Sequence, residues 1–367
     1  MNAQLLKSAP PSILIVLMGS LGDVTRGLGI VAHLKACCPE CRITWLIEPK
    51  CADLVGLHSG IDHIIVFKRA WSFKALWDLY QQLRQCHFDI TLDLQRHFKS
   101  GFFSMLSQGK QRIGFHRKDS KELNWLFNNA HIKYYNNELS KLDHYFKFTQ
   151  YLGLDDPTRV NFGISNWDAP KHLPHVLMDL DDPLISIVLG SSWESKNWHT
   201  RGYIHLIEQI LANEGSGLKN EAAALANEAP GLTGEAWRVA MIGDATQTTV
   251  AGEISDHIKN NALIDLVGRT SLLELAAVLK CSAAVVGPDS GPGHLAAAMG
   301  TPYISLFGPT SPVRTAPYGF EHLVVQTQLD CIPCYQKQCP LLTRQCMVDI
   351  RVEEIMDKLG RVLNMAA

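Results

Sequence analysis

The chain has 367 residues, 46% hydrophobic and 19% charged, with 34 lysines and arginines against 36 aspartates and glutamates, a net charge of -2. At roughly 150 residues per domain this length suits two domains with separate cores, and the composition excludes a disordered chain or a small disulfide-stapled module. The near-neutral balance gives no reason to expect nucleic acid as a partner, although local basic clusters suit an anionic ligand. Met1–Pro11 carries one lysine, and the run from Ser12 to Asp23 is too short and too glycine-broken for a signal or membrane span. A cytoplasmic protein is therefore expected, with most of its ten cysteines reduced.

In chain order, short apolar runs alternate with amphipathic stretches, the signature of a largely parallel α/β fold. Strands are predicted at Ser12–Leu17, Arg42–Ile47, His63–Phe67 and Phe88–Leu92, and helices at Gly27–Ala36 and Ser72–Gln85. The polar, proline-containing stretch Asp155–Asp182 reads as the connection to a second series, with strands at Leu184–Leu189, Arg238–Ile242, Ile264–Leu266, Ala283–Val286 and Pro302–Phe307. Asn213–Glu235, rich in Ala, Gly, Asn and Glu, reads as a surface insertion. Val352–Leu363 has the spacing of an amphipathic helix. No repeat of fixed period is present, and the cleft between two similar halves is the expected ligand site.

Four segments carry chemistry. Gly19-Ser20-Leu21-Gly22-Asp23 follows the first strand and precedes a helix, a place where backbone amides meet an anion or a substrate. Its G-x-x-G-D spacing is not the G-x-G-x-x-G of a dinucleotide site, even though Glu48 stands where a ribose-binding acid would. Asp23 either caps a helix beginning near Val24 or serves as a general base at the strand end. The second segment, Val286 to Pro302, ends a strand in a small-residue turn and opens a helix, a phosphate cradle to which Ser290 adds a hydroxyl. Asp289 there fixes the turn or faces a sugar hydroxyl, and His294 is a phosphate donor or a core histidine. In the third, Gly190 to Trp198, hydroxyls and Lys196 stand just past a strand end and suit a pyrophosphate, with a solvated surface lysine as the plain alternative. The fourth is the basic group Arg96, His97, Lys99, Lys110, Arg112, His116, Arg117 and Lys118, which suits an acceptor carrying phosphates or acidic sugars. Phe98, Phe102, Phe103 and Met105 beside it read as a helix core rather than a membrane patch.

These segments, with Asp289-Ser290-Gly291…His294-Leu295-Ala296-Ala297 running to Leu306-Phe307-Gly308-Pro309-Thr310, resemble the glycosyltransferase family that contains the lipopolysaccharide heptosyltransferases. The resemblance covers nearly the whole chain. It implies a GT-B fold of two Rossmann-like domains facing a central cleft. Residues 1–165 would bind the acceptor, 166–350 the nucleotide sugar, and 351–367 would form a helix packing back on the first domain. It further implies inverting transfer from ADP-heptose to an anionic glycolipid or saccharide without a required metal, by an enzyme with at most peripheral contact at the cytoplasmic face of the inner membrane. Carried over by position, Asp23 is the base and Ser191, Ser192, Lys196, Ser290 and Gly291 hold the diphosphate, with Asp289 and His294 in the same donor site. Gly22, Arg96, Lys99 and Arg112 are taken as acceptor-facing. After the strand Arg238–Ile242 the family has an acidic residue that reaches the ribose, and here only Asp244 is on offer. Rival readings are a nucleotide-sugar 2-epimerase of the same fold, which needs further carboxylates, and a non-catalytic saccharide-binding module, against which Asp23 and Lys196 count.

Cys331, Cys334, Cys339 and Cys346 fall within sixteen residues. Four thiolates suit a closed structural zinc or iron site. Reduced packing cysteines and disulfides are the alternatives, and the resemblance favours no catalytic ion.

Overall fold

A strand buried on both faces of a parallel sheet needs a nearly continuous apolar run, which Ser12–Val16 and Leu184–Val188 supply. In the computed structural model, which describes residues 10–68, 72–135, 139–178, 182–212 and 237–366, each becomes an inner strand of its own six-stranded sheet. The chain divides into two compact units, Met1–Trp167 and Asp168–Ala367. The expected insertion Asn213–Glu235 lies outside the described residues.

In the first unit β1 (Ser12–Val16), β2 (Arg42–Ile47), β3 (His63–Val66), β4 (Ile90–Asp93), β5 (Gln111–Gly114) and β6 (Ala130–His131) are parallel, in the order β3-β2-β1-β4-β5-β6. The winding reverses between β1 and β4, whose last residues Val16 and Asp93 are in register. Such a reversal opens a crevice at the carboxyl ends of the two strands, where open α/β sheets take their ligands. Helix α1 (Leu21–Cys37) begins six residues before the expected Gly27. A Cβ on Gly27 would lie 2.8 Å from Leu17 Cδ2 and from Trp45 Cη2. The small residue that weakens helix propensity is thus the one that lets α1 lie close on the sheet. The unit also carries α2 (Pro49–Gly56), α3 (Phe73–Arg84), α4 (Phe98–Leu106) and α5 (Lys141–Tyr151). Helix α3 opens on Ser72, whose hydroxyl accepts from Ala75 N. On α4, Phe103 is buried and Phe102 packs against the core as expected, whereas Phe98 and Met105 are 46% and 40% exposed.

The second unit repeats the plan. Its strands β7 (Leu184–Val188), β8 (Arg238–Ile242), β9 (Leu263–Asp265), β10 (Ala284–Pro288), β11 (Tyr303–Phe307) and β12 (Val324–Gln326) are ordered β12-β11-β10-β7-β8-β9, so the reversal falls between β10 and β7. Helices α6 (Thr200–Ala212), α7 (Thr248–His257), α8 (Leu272–Cys281) and α9 (Gly291–Ala298) cover it. On α9, a Cβ at Gly293 would sit 2.7 Å from the Tyr303 ring, so this helix too lies hard on its sheet. In the final helix, Val352–Ala366, the fully buried Ile355 and Leu359 join Ile185, Ile187 and Val286 in the core of the second unit, where α6, β10 and β11 meet its apolar stripe.

Candidate active site

In the first unit the loop after β1 places Asp23 at the reversal point. Ser20 is the residue that precedes α1, and Asp23 lies inside its first turn, so it is not the cap of a helix starting at Val24. Its carboxylate accepts from Ser20 Oγ at 3.0 Å, from Arg26 Nη1 at 2.9 Å and from Lys141 Nζ at 3.4 Å. Burial alone would raise this carboxyl, but the charges of Lys141 and Arg26 and the Ser20 hydroxyl outweigh it and hold it below the ordinary carboxylate range. Asp23 is therefore ionised at neutral pH. Gln95, just past β4, locks the loop by accepting from Met18 N at 3.0 Å and donating to Gly19 O at 3.2 Å. Gly22 is buried in the first turn of α1.

The expected acceptor cations separate into two groups. Arg96 and Lys99 stand past the carboxyl end of β4. The Arg96 guanidinium meets His144 Nδ1 at 2.7 Å and lies over the Phe115 ring at 4.2 Å, while Lys99 Nζ pairs with Glu48 Oε1 at 2.6 Å over the Phe67 ring. Arg112 is not brought to that rim. It pairs with Thr91 toward the amino end of β5, and its guanidinium donates to Gly109 O and Phe127 O, both at 3.1 Å. Whether a residue stands near the amino or the carboxyl end of a parallel strand decides which rim it serves, and a sequence pattern alone does not resolve it.

In the second unit the two phosphate-suited segments meet at the reversal. Lys196, in the short turn Glu194–Lys196 after β7, reaches Asp289 after β10, with Nζ 2.7 Å from Oδ2. The side chains are 14% and 5% exposed, so Lys196 is no solvated surface lysine. Asp289 Oδ2 also accepts from Thr310 Oγ1 at 2.7 Å and Thr315 Oγ1 at 3.1 Å, which assigns Asp289 to fixing the rim. Ser290 precedes α9 without capping it, and its buried Oγ, lying against the Tyr303 hydroxyl, has no hydrogen bond of ordinary geometry among the described residues. The first amides of α9 have no partner within the helix, and Pro292 carries none. His294 is buried in that first turn. Across the rim, Ser191 N donates to Asn197 Oδ1 at 2.8 Å and Ser191 Oγ donates to Trp193 O at 3.1 Å, while Ser192 is exposed. A cavity of about 510 Å³ beside this loop is lined by Ser191, Glu194, Asn197, Thr246, Gln247 and Arg344. Asp244 does not line it. Its carboxylate caps the turn Ala245–Gln247, accepting from Thr246 N at 2.8 Å.

The cysteine-rich segment forms no disulfide, all ten cysteines being free. The backbone amide of Arg344, then those of Leu341, Thr343 and Leu342, hold the Cys339 thiol below its usual value, while burial and then the neighbouring thiols push Cys346 up to about 11. Among the described residues no three His, Cys, Asp or Glu side chains gather so as to hold a metal ion. As placed, the four thiols do not form the closed four-ligand site that the spacing suggests; Cys346 is buried, and Cys331 is exposed.

Residues 76–219 and 221–344 match glycosyltransferase family 9, the heptosyltransferases. The chain belongs to this family. The heptosyltransferase is 28% identical over 327 residues to lipopolysaccharide core heptosyltransferase OpsX of Haemophilus influenzae, a match covering 86% of this chain and 84% of OpsX. Its fold is that of E. coli ADP-heptose lipopolysaccharide heptosyltransferase II, at a TM-score of 0.75 and 19% identity over 97% of this chain and 99% of the other. The dodecameric iron-containing heptosyltransferase TibC, solved with ADP-D-beta-D-heptose, is similar at a TM-score of 0.58 and 15% identity, over 98% of this chain and 77% of TibC. The heptosyltransferase is accordingly a glycosyltransferase of GT-B type, and the epimerase and binding-module readings are set aside. Its sequence points to Asp23, Lys196 and Asp289 directly. The roles not assigned from sequence are those of their partners: Arg26, three residues after Asp23 on one helix face, was open to pattern reading, Asn197 lies within the Gly190–Trp198 segment without a role given to it, and Lys141 carries no local signal.

Proposed function

We propose that this enzyme transfers heptose from ADP-heptose to the lipopolysaccharide core or a related anionic envelope saccharide, with inversion at the anomeric carbon. The names of the OpsX and heptosyltransferase II relatives support donor and acceptor class. The observation that carries the donor half is the buried Lys196–Asp289 pair at the reversal of the second sheet, beside the start of α9. In the reaction the acceptor hydroxyl oxygen bonds to the anomeric carbon, its proton passes to the Asp23 carboxylate, and the bond from that carbon to the diphosphate oxygen breaks, the electron pair leaving with ADP. Lys196 stabilises the charge that builds on the departing diphosphate, together with the amide of Gly291 and the hydroxyls of Ser191, Ser192 and Ser290. Asp289 aims Lys196. Gly22 leaves room beside Asp23 for the acceptor, and Arg96 and Lys99 give that rim its positive charge.

We place the enzyme at the cytoplasmic face of the inner membrane, in peripheral contact. No helix among the described residues is long and apolar enough to cross a membrane. Phe73 and Trp77, stacked on α3 and 83% and 50% exposed, are among the exposed aromatic groups that such contact could use.

A thermal-shift panel tests the donor assignment, since a ligand that binds only the folded state raises the midpoint according to its affinity. ADP is expected to raise it more than UDP, GDP or CDP at equal concentration. An ADP shift no larger than theirs overturns the nucleotide.

A further inference from the structure

The segment carrying the four cysteines has no part in the reaction above, yet it is bonded to the turn that carries Lys196. Ser195 is 2% exposed, donates its amide to Lys337 O at 3.1 Å, and donates its hydroxyl to Gln336 O at 2.6 Å. From the same segment Arg344 Nη1 reaches Glu194 O at 3.4 Å. Tyr335 N donates to Pro309 O at 2.8 Å, one residue from the Thr310 whose hydroxyl meets Asp289. The segment thus braces both members of the Lys196–Asp289 pair. A lysine ammonium rides on a flexible four-carbon stem, so its place is set either by a partner at its tip or by its backbone. Asp289 holds the tip only while Nζ stays on the carboxylate. Once Nζ turns to a ligand, the backbone anchor remains.

We propose that Ser195 is a positioning residue for the donor diphosphate, locking the Glu194–Lys196 turn onto the 335–344 segment so that the Lys196 ammonium is delivered to one place. The proposal rests on the reading that Lys196 meets the diphosphate. It gives the segment a task that needs neither metal nor disulfide, namely to be a rigid shelf behind the donor loop.

A double-mutant cycle on the full chain tests it, with ADP binding followed by calorimetry for wild type, Ser195→Ala, Lys196→Ala and the double variant. Loss of one hydrogen bond that acts through Lys196 is expected to weaken ADP about 2- to 10-fold in the wild-type background. In the Lys196→Ala background the same change is expected to cost less than about twofold, because residues acting as a unit are not additive. Donor KM should rise with acceptor KM unchanged. An equal loss in both backgrounds, or no loss in wild type, overturns the proposal and leaves the donor site standing. Lys196→Ala with unchanged ADP affinity overturns the donor site itself. If Ser195→Ala does not fold, Ser195→Cys, whose thiol is a far weaker donor to Gln336 O, takes its place in the cycle with the same expectations.

Discussion

Lys141 Nζ stands 3.4 Å from Asp23 Oδ1 across 118 residues of chain. The contact brings the first turn of α5 to the first turn of α1, and with Arg26 it gives the carboxylate two cations. Such an arrangement keeps the base ionised and oriented. It also weakens it, since a carboxylate stabilised by neighbours holds a proton less firmly.

The pH dependence of turnover follows from this. Asp23 works only when deprotonated, and its carboxyl is held below the ordinary value, so the acidic limb of kcat/KM is expected below the usual carboxylate range. Lys141→Met removes one lowering charge while Arg26 on α1 remains and the buried Tyr145 on α5 stays neutral. Burial then counts for more, and the acidic limb moves to higher pH. A limb that stays in place in Lys141→Met shows that the lysine does not act on the base. The same signs apply to stability: a depressed Asp23 carboxyl contributes above its unfolded value and loses that contribution as pH falls through the folded one.

Asp23→Asn keeps the shape of the side chain and removes its ability to take a proton. Turnover is expected to fall by about 10²- to 10⁴-fold, the usual contribution of a general base, with ADP affinity unchanged because the donor residues lie in the other unit. Turnover near that of wild type with a verified acceptor would reduce Asp23 to an ion-pair partner of Arg26.

Much of this site was legible because the fold puts chemistry at strand ends. The apolar runs at Ser12 and Leu184 locate the inner strands, and the glycine-rich and hydroxyl-rich turns after β1, β7 and β10 are then the carboxyl rims by position alone. The start of α1 was not legible, since the glycine-rich run from Gly19 to Gly22 reads as a loop; the closeness of Trp45 then gives the reason for the glycine at position 27 inside the helix. Nor were the partners that set the function of each charge. Asp289 reads from sequence as fixing the turn or facing a sugar hydroxyl, and nothing local names Lys196, 93 residues away, as the group bonded to it. Sequence spacing finds groups on one helix face, whereas topology alone brings Lys141 to Asp23. The terminal helix was legible as a helix, but an amphipathic stripe does not name the surface that covers it.

Arg112 separates position in sequence from position in the site. It belongs to a run of basic residues that suits an anionic acceptor, and its neighbours in that run, Arg96 and Lys99, do stand on the carboxyl rim. Its own guanidinium donates to the carbonyls of Gly109 and Phe127 toward the amino end of β5, and its backbone amide donates to Asn129 Oδ1 at 2.7 Å, so it ties together the loops before and after that strand. Arg112→Ala leaves two carbonyls without a charged donor and is expected to lower stability by about 1–3 kcal/mol, read as a fall in the unfolding midpoint. Acceptor KM and kcat at low temperature should match wild type. Lys99→Ala, on the other rim, is expected to raise acceptor KM, and at low ionic strength most of all, because attraction to an anionic acceptor is screened by salt. An Arg112→Ala enzyme of unchanged midpoint and raised acceptor KM would return Arg112 to the acceptor site and show that its two carbonyl bonds yield to the substrate.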